Sequence, residues 1–166
     1  TFMPKPIDEG QGSGMHTHMS LFEGDVNVFH DPGDVLGLSD IARKFVAGIL
    51  HHAPEFTAVT NQLINSYKRM VSGYESPVYV SWARNNRSAL VRVPIHKAGK
   101  ASSTRIEYRA LDSAANPYLA YSVILAAGLK GIEDGYELPD EADENLWSLN
   151  REQARKAGLQ RLPQDL

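Results

Sequence analysis

Residues 15–22 alternate in character: Met15, Thr17, Met19 and Leu21 fall on one side, His16, His18, Ser20 and Phe22 on the other. That period of two is the mark of a strand. Residues 104–110 repeat it, with Arg105, Glu107 and Arg109 opposite Ile106, Tyr108 and Ala110. Apolar runs at 78–82 and 89–94, separated by the polar stretch 84–88, predict two further strands. A helical period takes over at 40–52, where Ile41, Phe45, Ile49 and Leu50 form a stripe behind Ser39, a good N-cap. Pro54 predicts an interruption, with a short second helix from 55 to about 62. Asn116-Pro117 opens a helix that runs to about residue 134, apolar on most sides and therefore expected to be buried. Asn150 caps a last short helix over 151–157, ended by Gly158. The remaining segments read as a glycine-bearing loop (8–14), a polar loop or loose hairpin (23–37), an irregular stretch (63–76), a turn (98–103) and an acidic loop (139–145). Interspersed strands and helices with hairpin-like neighbours predict an α+β fold, a largely antiparallel sheet with helices packed against it.

Composition narrows the classes. At 166 residues and 42% hydrophobic, the chain can bury a core and has the length of one domain. Its 17 basic and 20 acidic residues leave a net charge of −3, which gives no reason to expect nucleic acid or an anionic membrane as partner. The apolar stretch at 118–129 is too short for a bilayer, which needs roughly 20 residues. No cysteine is present, so disulfides and thiolate metal sites are excluded, which fits a cytoplasmic setting. The chain starts at Thr1 and runs straight into Phe2-Met3, as expected of the middle of a longer protein.

The polar strand faces carry the chemistry. Imidazole is a common metal ligand, and a carboxylate suits Mg²⁺ or Mn²⁺. Each face alone also fits a bland role: His-x-His on a solvated strand, Arg-Glu-Arg in a cross-strand ion-pair ladder. Gly10, Gly12 and Gly14 permit close backbone approach to a ligand, but a strand follows them and not a helix, so they are not the dinucleotide fingerprint. Arg69, Arg84, Arg87, Arg92, Arg105 and Arg109 crowd one part of an acidic chain. Guanidinium forks match phosphate and carboxylate oxygens two at a time, so the cluster points to an anionic substrate.

Several motifs in order resemble those of bacterial-type glutamine synthetases. Phe2-Met3-Pro4-Lys5-Pro6 followed by Gly12-Ser13-Gly14-Met15-His16 resembles the ATP-binding signature. Asn65-Ser66-Tyr67-Lys68-Arg69, then Gly73-Tyr74-Glu75 and Pro77, is similar to the substrate segment and flap. Asn86-Arg87-Ser88-Ala89, Arg105-Ile106-Glu107 and Ala114-Ala115-Asn116-Pro117-Tyr118-Leu119 follow in family order, and the likeness covers roughly residues 1–149. It implies part of a catalytic domain built on a curved sheet. The reaction implied is ATP-dependent formation of a γ-glutamyl amide from glutamate and ammonia through a γ-glutamyl phosphate. By resemblance, His16 and Glu107 bind Mg²⁺ or Mn²⁺ on the ATP phosphates, and His18 and Ser20 help to hold ATP. Arg87 and Arg92 contact phosphates, and Arg105 lies near the nucleotide. Arg69 and the backbone of Gly12 take glutamate, and Arg109 meets both glutamate and the transferred phosphoryl group. Glu75, with Arg87 and Arg109, is catalytic, on a flap that closes over the reaction.

The departures have their own implications. Gln11 stands where the family commonly has Asn; Ser72 replaces a Pro, Ser76 an Ala and Ser102 a Lys. The first three lie on the substrate side and leave open a γ-glutamyl polyamine or amine ligase. Trp147 sits where regulated members carry an adenylylated Tyr, and without a hydroxyl it cannot take that modification. The resemblance further implies a homo-oligomeric ring with shared active sites. The N-terminal domain, the other metal-binding glutamates and the C-terminal helices would lie outside residues 1–166, and the piece alone is expected to be inactive. A catalytically silent nucleotide-binding homologue is a separate reading. A His-x-His hydrolase would need further His and Asp ligands, for which the sequence offers no convincing set.

Overall fold

The two alternating segments pair with each other, which sets the frame for everything else. The computed structural model describes residues 2–71, 76–95, 100–142 and 145–166. Along the chain come β1 (Thr17–Met19), β2 (Phe22–Glu23), β3 (Val26–Asn27), α1 (Asp40–Thr60), α2 (Ile64–Arg69), β4 (Trp82–Ala83), β5 (Val91–Arg92), β6 (Ile106–Tyr108), α3 (Pro117–Asp134) and α4 (Arg151–Lys156). One sheet runs in the order β1-β6-β5-β4, and β2-β3 form a separate hairpin. β6 lies antiparallel to both β1 and β5, with His18 opposite Glu107 and Arg92 opposite Glu107 on the other side. The strands read around 78–82 and 89–94 pair in parallel, Trp82 opposite Val91, a departure from the otherwise antiparallel sheet. The fold is thus α+β with a mostly antiparallel sheet.

Helices α1 and α3 share a core with the apolar residues of that sheet. Ser39 caps α1 as its composition predicts, accepting from Ala42 N at 3.1 Å. Pro54 does not break the helix: α1 is continuous from Asp40 to Thr60. A mid-helix proline costs about 3 kcal/mol. Here the buried face continues across it, through Leu50, Ala53, Phe56, Thr57 and Thr60, and that burial offsets the loss. α2 was not expected within the stretch read as irregular. Its first turn closes when Leu63 N donates to Ser66 Oγ at 3.1 Å. Asn116 caps α3 through Tyr118 N, and Gly135 ends it in the left-handed conformation at φ 68°. Only one face of α3 is buried (Ala120, Ile124, Ala127, Gly128, Gly131), whereas Tyr121, Leu125 and Leu129 are exposed, so the helix is less buried than its apolar sequence predicts.

Asp34 ties the end of the loop over 23–37 to α1. Its Oδ1 accepts from Leu36 N at 2.9 Å and Leu38 N at 3.1 Å, and its Oδ2 meets Arg43 Nη2 at 2.7 Å. Burial by itself would raise its pKa, but the Leu38 amide, Arg43 and the Leu36 amide outweigh it and hold the carboxyl below its ordinary value. Asp34→Ala is expected to lower the unfolding free energy by about 2 kcal/mol. A depressed folded pKa means that this contribution is complete above the unfolded value of about 3.9 and is lost as pH falls through the folded one. Urea unfolding of both proteins from neutral to acid pH checks this: the gap between them should close at the acid end.

Candidate active site

β6 carries Glu107 into the middle of the polar face because its neighbours on both edges point their own polar groups the same way. The residue is only 3% exposed. Oε1 lies 3.0 Å from Arg109 Nη1, 3.1 Å from His16 Nδ1 and 3.9 Å from His18 Nε2. Arg92 Nε approaches Oε2 at 2.6 Å, off the N–H axis, so that contact is a close ion pair and not a directed hydrogen bond. Burial alone would raise the Glu107 pKa. Arg109 and Arg92, followed by the two imidazoles, outweigh it and keep the carboxylate ionised. Desolvation is also the first cause that lowers both histidines, aided by Arg109 at His16 and by Arg105 at His18, against the pull of Glu107. A neutral imidazole beside an ionised carboxylate is what a divalent cation needs.

The spacing passes a simple test for such a cation. Adjacent ligands of an octahedral ion with bonds of ~2.1 Å are ~3.0 Å apart. His16 Nδ1 and Glu107 Oε1, at 3.1 Å, match that edge. Among the described residues no group of three or more His, Cys, Asp or Glu gathers to hold a metal. Mg²⁺ typically takes one or two protein ligands and fills the rest of its shell with phosphate and water. An imidazole and a carboxylate fit that habit.

The arginines do not play one part. Arg109 is buried, and its Nε donates to the Arg87 carbonyl at 3.1 Å, which aims the remaining guanidinium at Glu107 and His16. Burial lowers its pKa, while Glu107 opposes that shift. Arg92 and Arg105 border the same face, Arg105 through a 3.2 Å hydrogen bond to His18 Nδ1. Arg87 is exposed, and its carbonyl braces Arg109, a role no side-chain pattern reveals. Arg84 leaves the cluster: its amide and Nε both bind Glu141, at 2.6 and 2.7 Å, tying the acidic loop to β4.

Arg69 sits beneath the glycine loop. It is 3% exposed, and its Nη atoms donate to the carbonyls of Arg109, Ala110 and Leu111. Burial lowers its pKa to about 10, so it remains a cation at neutral pH. A Cβ on Gly14 would lie 2.2 Å from Arg69 Nη2, and one on Gly12 would lie 2.8 Å from Arg69 Cγ and from the Pro4 carbonyl. Both positions must be glycine for this arginine to lie where it does. Ser20 continues the His16–His18 side of the chain beyond β1, half-buried. Glu75, with Ser72, Gly73 and Tyr74, lies outside the described residues. Next to that segment, Trp147 Nε1 donates to the Ser76 carbonyl at 3.0 Å. That link spans 71 positions, so local sequence patterns could not reveal it.

Comparison with known proteins agrees with this geometry. The family model described as "Glutamine synthetase, catalytic domain" matches residues 1–166. A glutamine synthetase of Mycolicibacterium smegmatis is 58% identical over 166 residues, 100% of this chain and 37% of that protein. Those of Mycobacterium tuberculosis and Thermotoga maritima are 56% and 52% identical over the same 166 residues. The chain thus spans 37% of the length of these relatives.

Proposed function

Because the chain belongs to the glutamine synthetase catalytic-domain family, we propose that it is the nucleotide- and metal-facing part of an ATP-dependent ligase that joins glutamate to ammonia. The observation that carries the reading is the cluster around Glu107, where one ionised carboxylate meets two neutral imidazoles and two guanidinium groups within 3.9 Å.

The chemistry runs in two steps. The γ-carboxylate of glutamate attacks the terminal phosphorus of ATP, the P–O bond to ADP breaks, and a γ-glutamyl phosphate forms. Ammonia then adds to its carbonyl carbon, phosphate leaves, and a proton from nitrogen is lost to complete the amide. Phosphoryl transfer asks a protein mainly for positioning and charge neutralisation. Here Arg109, fixed by the Arg87 carbonyl, would neutralise the transferred phosphoryl group, and Arg92 and Arg87 would hold neighbouring phosphate oxygens. His16 and Glu107 would hold Mg²⁺ or Mn²⁺, which when bound shields phosphate charge and polarises the P–O bond. His18, Ser20 and Arg105 would line the nucleotide side. Gly12 would present its backbone to glutamate, and Arg69 would supply positive charge from below the loop. For Arg69, the donors already given to three carbonyls make this a contribution of field and floor more than of a free fork. The role of Glu75 rests on the sequence motif alone. Trp147, without a hydroxyl, would escape adenylylation.

The test is product formation by the purified protein that contains this chain, given ATP, glutamate and an amine with Mg²⁺ or Mn²⁺. Glutamine and one phosphate per ATP are expected with ammonia. Product with putrescine but not ammonia would favour the amine-ligase reading that Gln11 and Ser76 leave open. No product with any amine, despite nucleotide binding, would favour a silent homologue.

A further inference from the structure

The two histidines of β1 and the loop before it are treated differently by their surroundings. Arg105 Nε lies 3.2 Å from His18 Nδ1. A guanidinium has donors and no acceptor, so the bond requires a lone pair on Nδ1. The ring proton must therefore sit on Nε2. Turning the ring over would bring Cδ2 to face Arg105 and forfeit the bond. Arg105 is itself braced, with Nη1 donating to the Ser103 carbonyl at 3.0 Å. His18 Nε2 then faces Glu107 Oε1 at 3.9 Å, too far for a hydrogen bond. Its N–H is turned to the carboxylate side of the site and remains available to a ligand oxygen.

We propose that Arg105 is a positioning residue that holds His18 as a neutral imidazole protonated on Nε2, making it an N–H donor to a phosphate oxygen and leaving metal ligation to His16. A metal ligand must offer a lone pair, and His18 has given one nitrogen to Arg105 and protonated the other. His16 differs. Its Nδ1 lies between an acceptor, Glu107 Oε1 at 3.1 Å, and a donor, Arg109 Nη1 at 3.4 Å, so no single partner commits its proton, and either ring nitrogen can be bared for a metal. The tautomer assignment stands on the hydrogen bond alone, whereas phosphate as the ligand rests on the function proposed above.

The experiment separates the two. Nitrogen-15 NMR of histidine-labelled intact protein, without nucleotide or metal, reads the ring protonation directly, with the His18 signals assigned through their loss in His18→Gln. A bare Nδ1 and a protonated Nε2 are expected in the unsubstituted protein. Arg105→Ala should mix the tautomers, and Arg105→Lys, which can still donate, should restore them. A protonated Nδ1 in the unsubstituted protein would overturn the assignment. Mn²⁺ binding without nucleotide, followed by EPR, supplies the second arm. His18→Gln should leave Mn²⁺ affinity within about twofold, and His16→Gln should weaken it by about tenfold or more. Equal losses in the two variants would overturn the division of roles. For phosphate, inorganic triphosphate serves as the probe. His18→Gln, whose amide can reach the Nε2 position, should bind it within about threefold of the unsubstituted protein, and His18→Ala about tenfold more weakly. If the tautomer result holds but triphosphate affinity is the same in His18→Ala, the proposed ligand is wrong and the positioning is right.

Discussion

Glu107→Ala is expected to abolish ligation and to destabilise the fold at once. Among the described residues, Glu107 is the carboxylate paired with Arg109, whose side chain is 6% exposed, and it also pairs with Arg92. Removing one partner of a buried pair leaves an uncompensated charge and costs about 3 kcal/mol or more. Activity should fall by about 10³-fold or more, because a charge-stabilising group and a metal ligand disappear together. A second variant separates the effects. Glu107→Gln keeps the volume and the two oxygen- and nitrogen-bearing branches, but removes the negative charge. It should remain folded by circular dichroism and still lose Mn²⁺ affinity. A folded Glu107→Gln protein with unchanged Mn²⁺ affinity would remove Glu107 from the metal site and with it the main support for the proposed reaction.

Much of this site was legible in the sequence because it lies on strands. Period-two alternation puts His16, His18 and Ser20 on one side, and Arg105, Glu107 and Arg109 on another. The antiparallel pairing of β1 with β6 then brings the two rows together. Capping chemistry is equally local, and Ser39, Asn116 and Asn150 all cap as their composition predicts. What was not legible depends on partners distant in the chain. Pro54 ends a helix by local rules, and only the face that α1 shares with α3 explains why it does not here. The parallel pairing of β4 with β5 arises from backbone bonds, Val91 N to Ser81 O and Val93 N to Ala83 O, that no alternation pattern encodes. The arginine cluster gave no sign that Arg84 is drawn off to Glu141, or that Arg69 spends its donors on main-chain carbonyls.

The second large effect lies away from the chemistry, where α1 crosses α3. A Cβ added to Gly131 would sit 2.2 Å from the Lys44 carbonyl oxygen and 2.6 Å from Gly48 Cα; one added to Gly48 would sit 2.2 Å from the Ala127 carbonyl oxygen. These neighbours are backbone, so no side chain can rotate out of the way. Intrinsic propensity favours alanine over glycine by about 1 kcal/mol in a helix interior. If propensity governed, Gly131→Ala would stabilise the protein. Contact governs here, because any added methyl group forces the two axes apart along a seam that also packs Phe45 against Gly128. Over-packing of this kind costs about 1–3 kcal/mol for side-chain neighbours, and rigid backbone puts it at or beyond the upper end. Gly131→Ala is therefore expected to lower the unfolding free energy by about 3 kcal/mol, and Gly131→Val by more. Gly33 supplies the control: its added Cβ would meet only Asp31 Oδ1, at 3.3 Å, so Gly33→Ala should change stability by less than about 0.5 kcal/mol. Urea unfolding of the three variants reads the sign directly, and a Gly131→Ala protein as stable as the parent would show that the helices are not held at this separation.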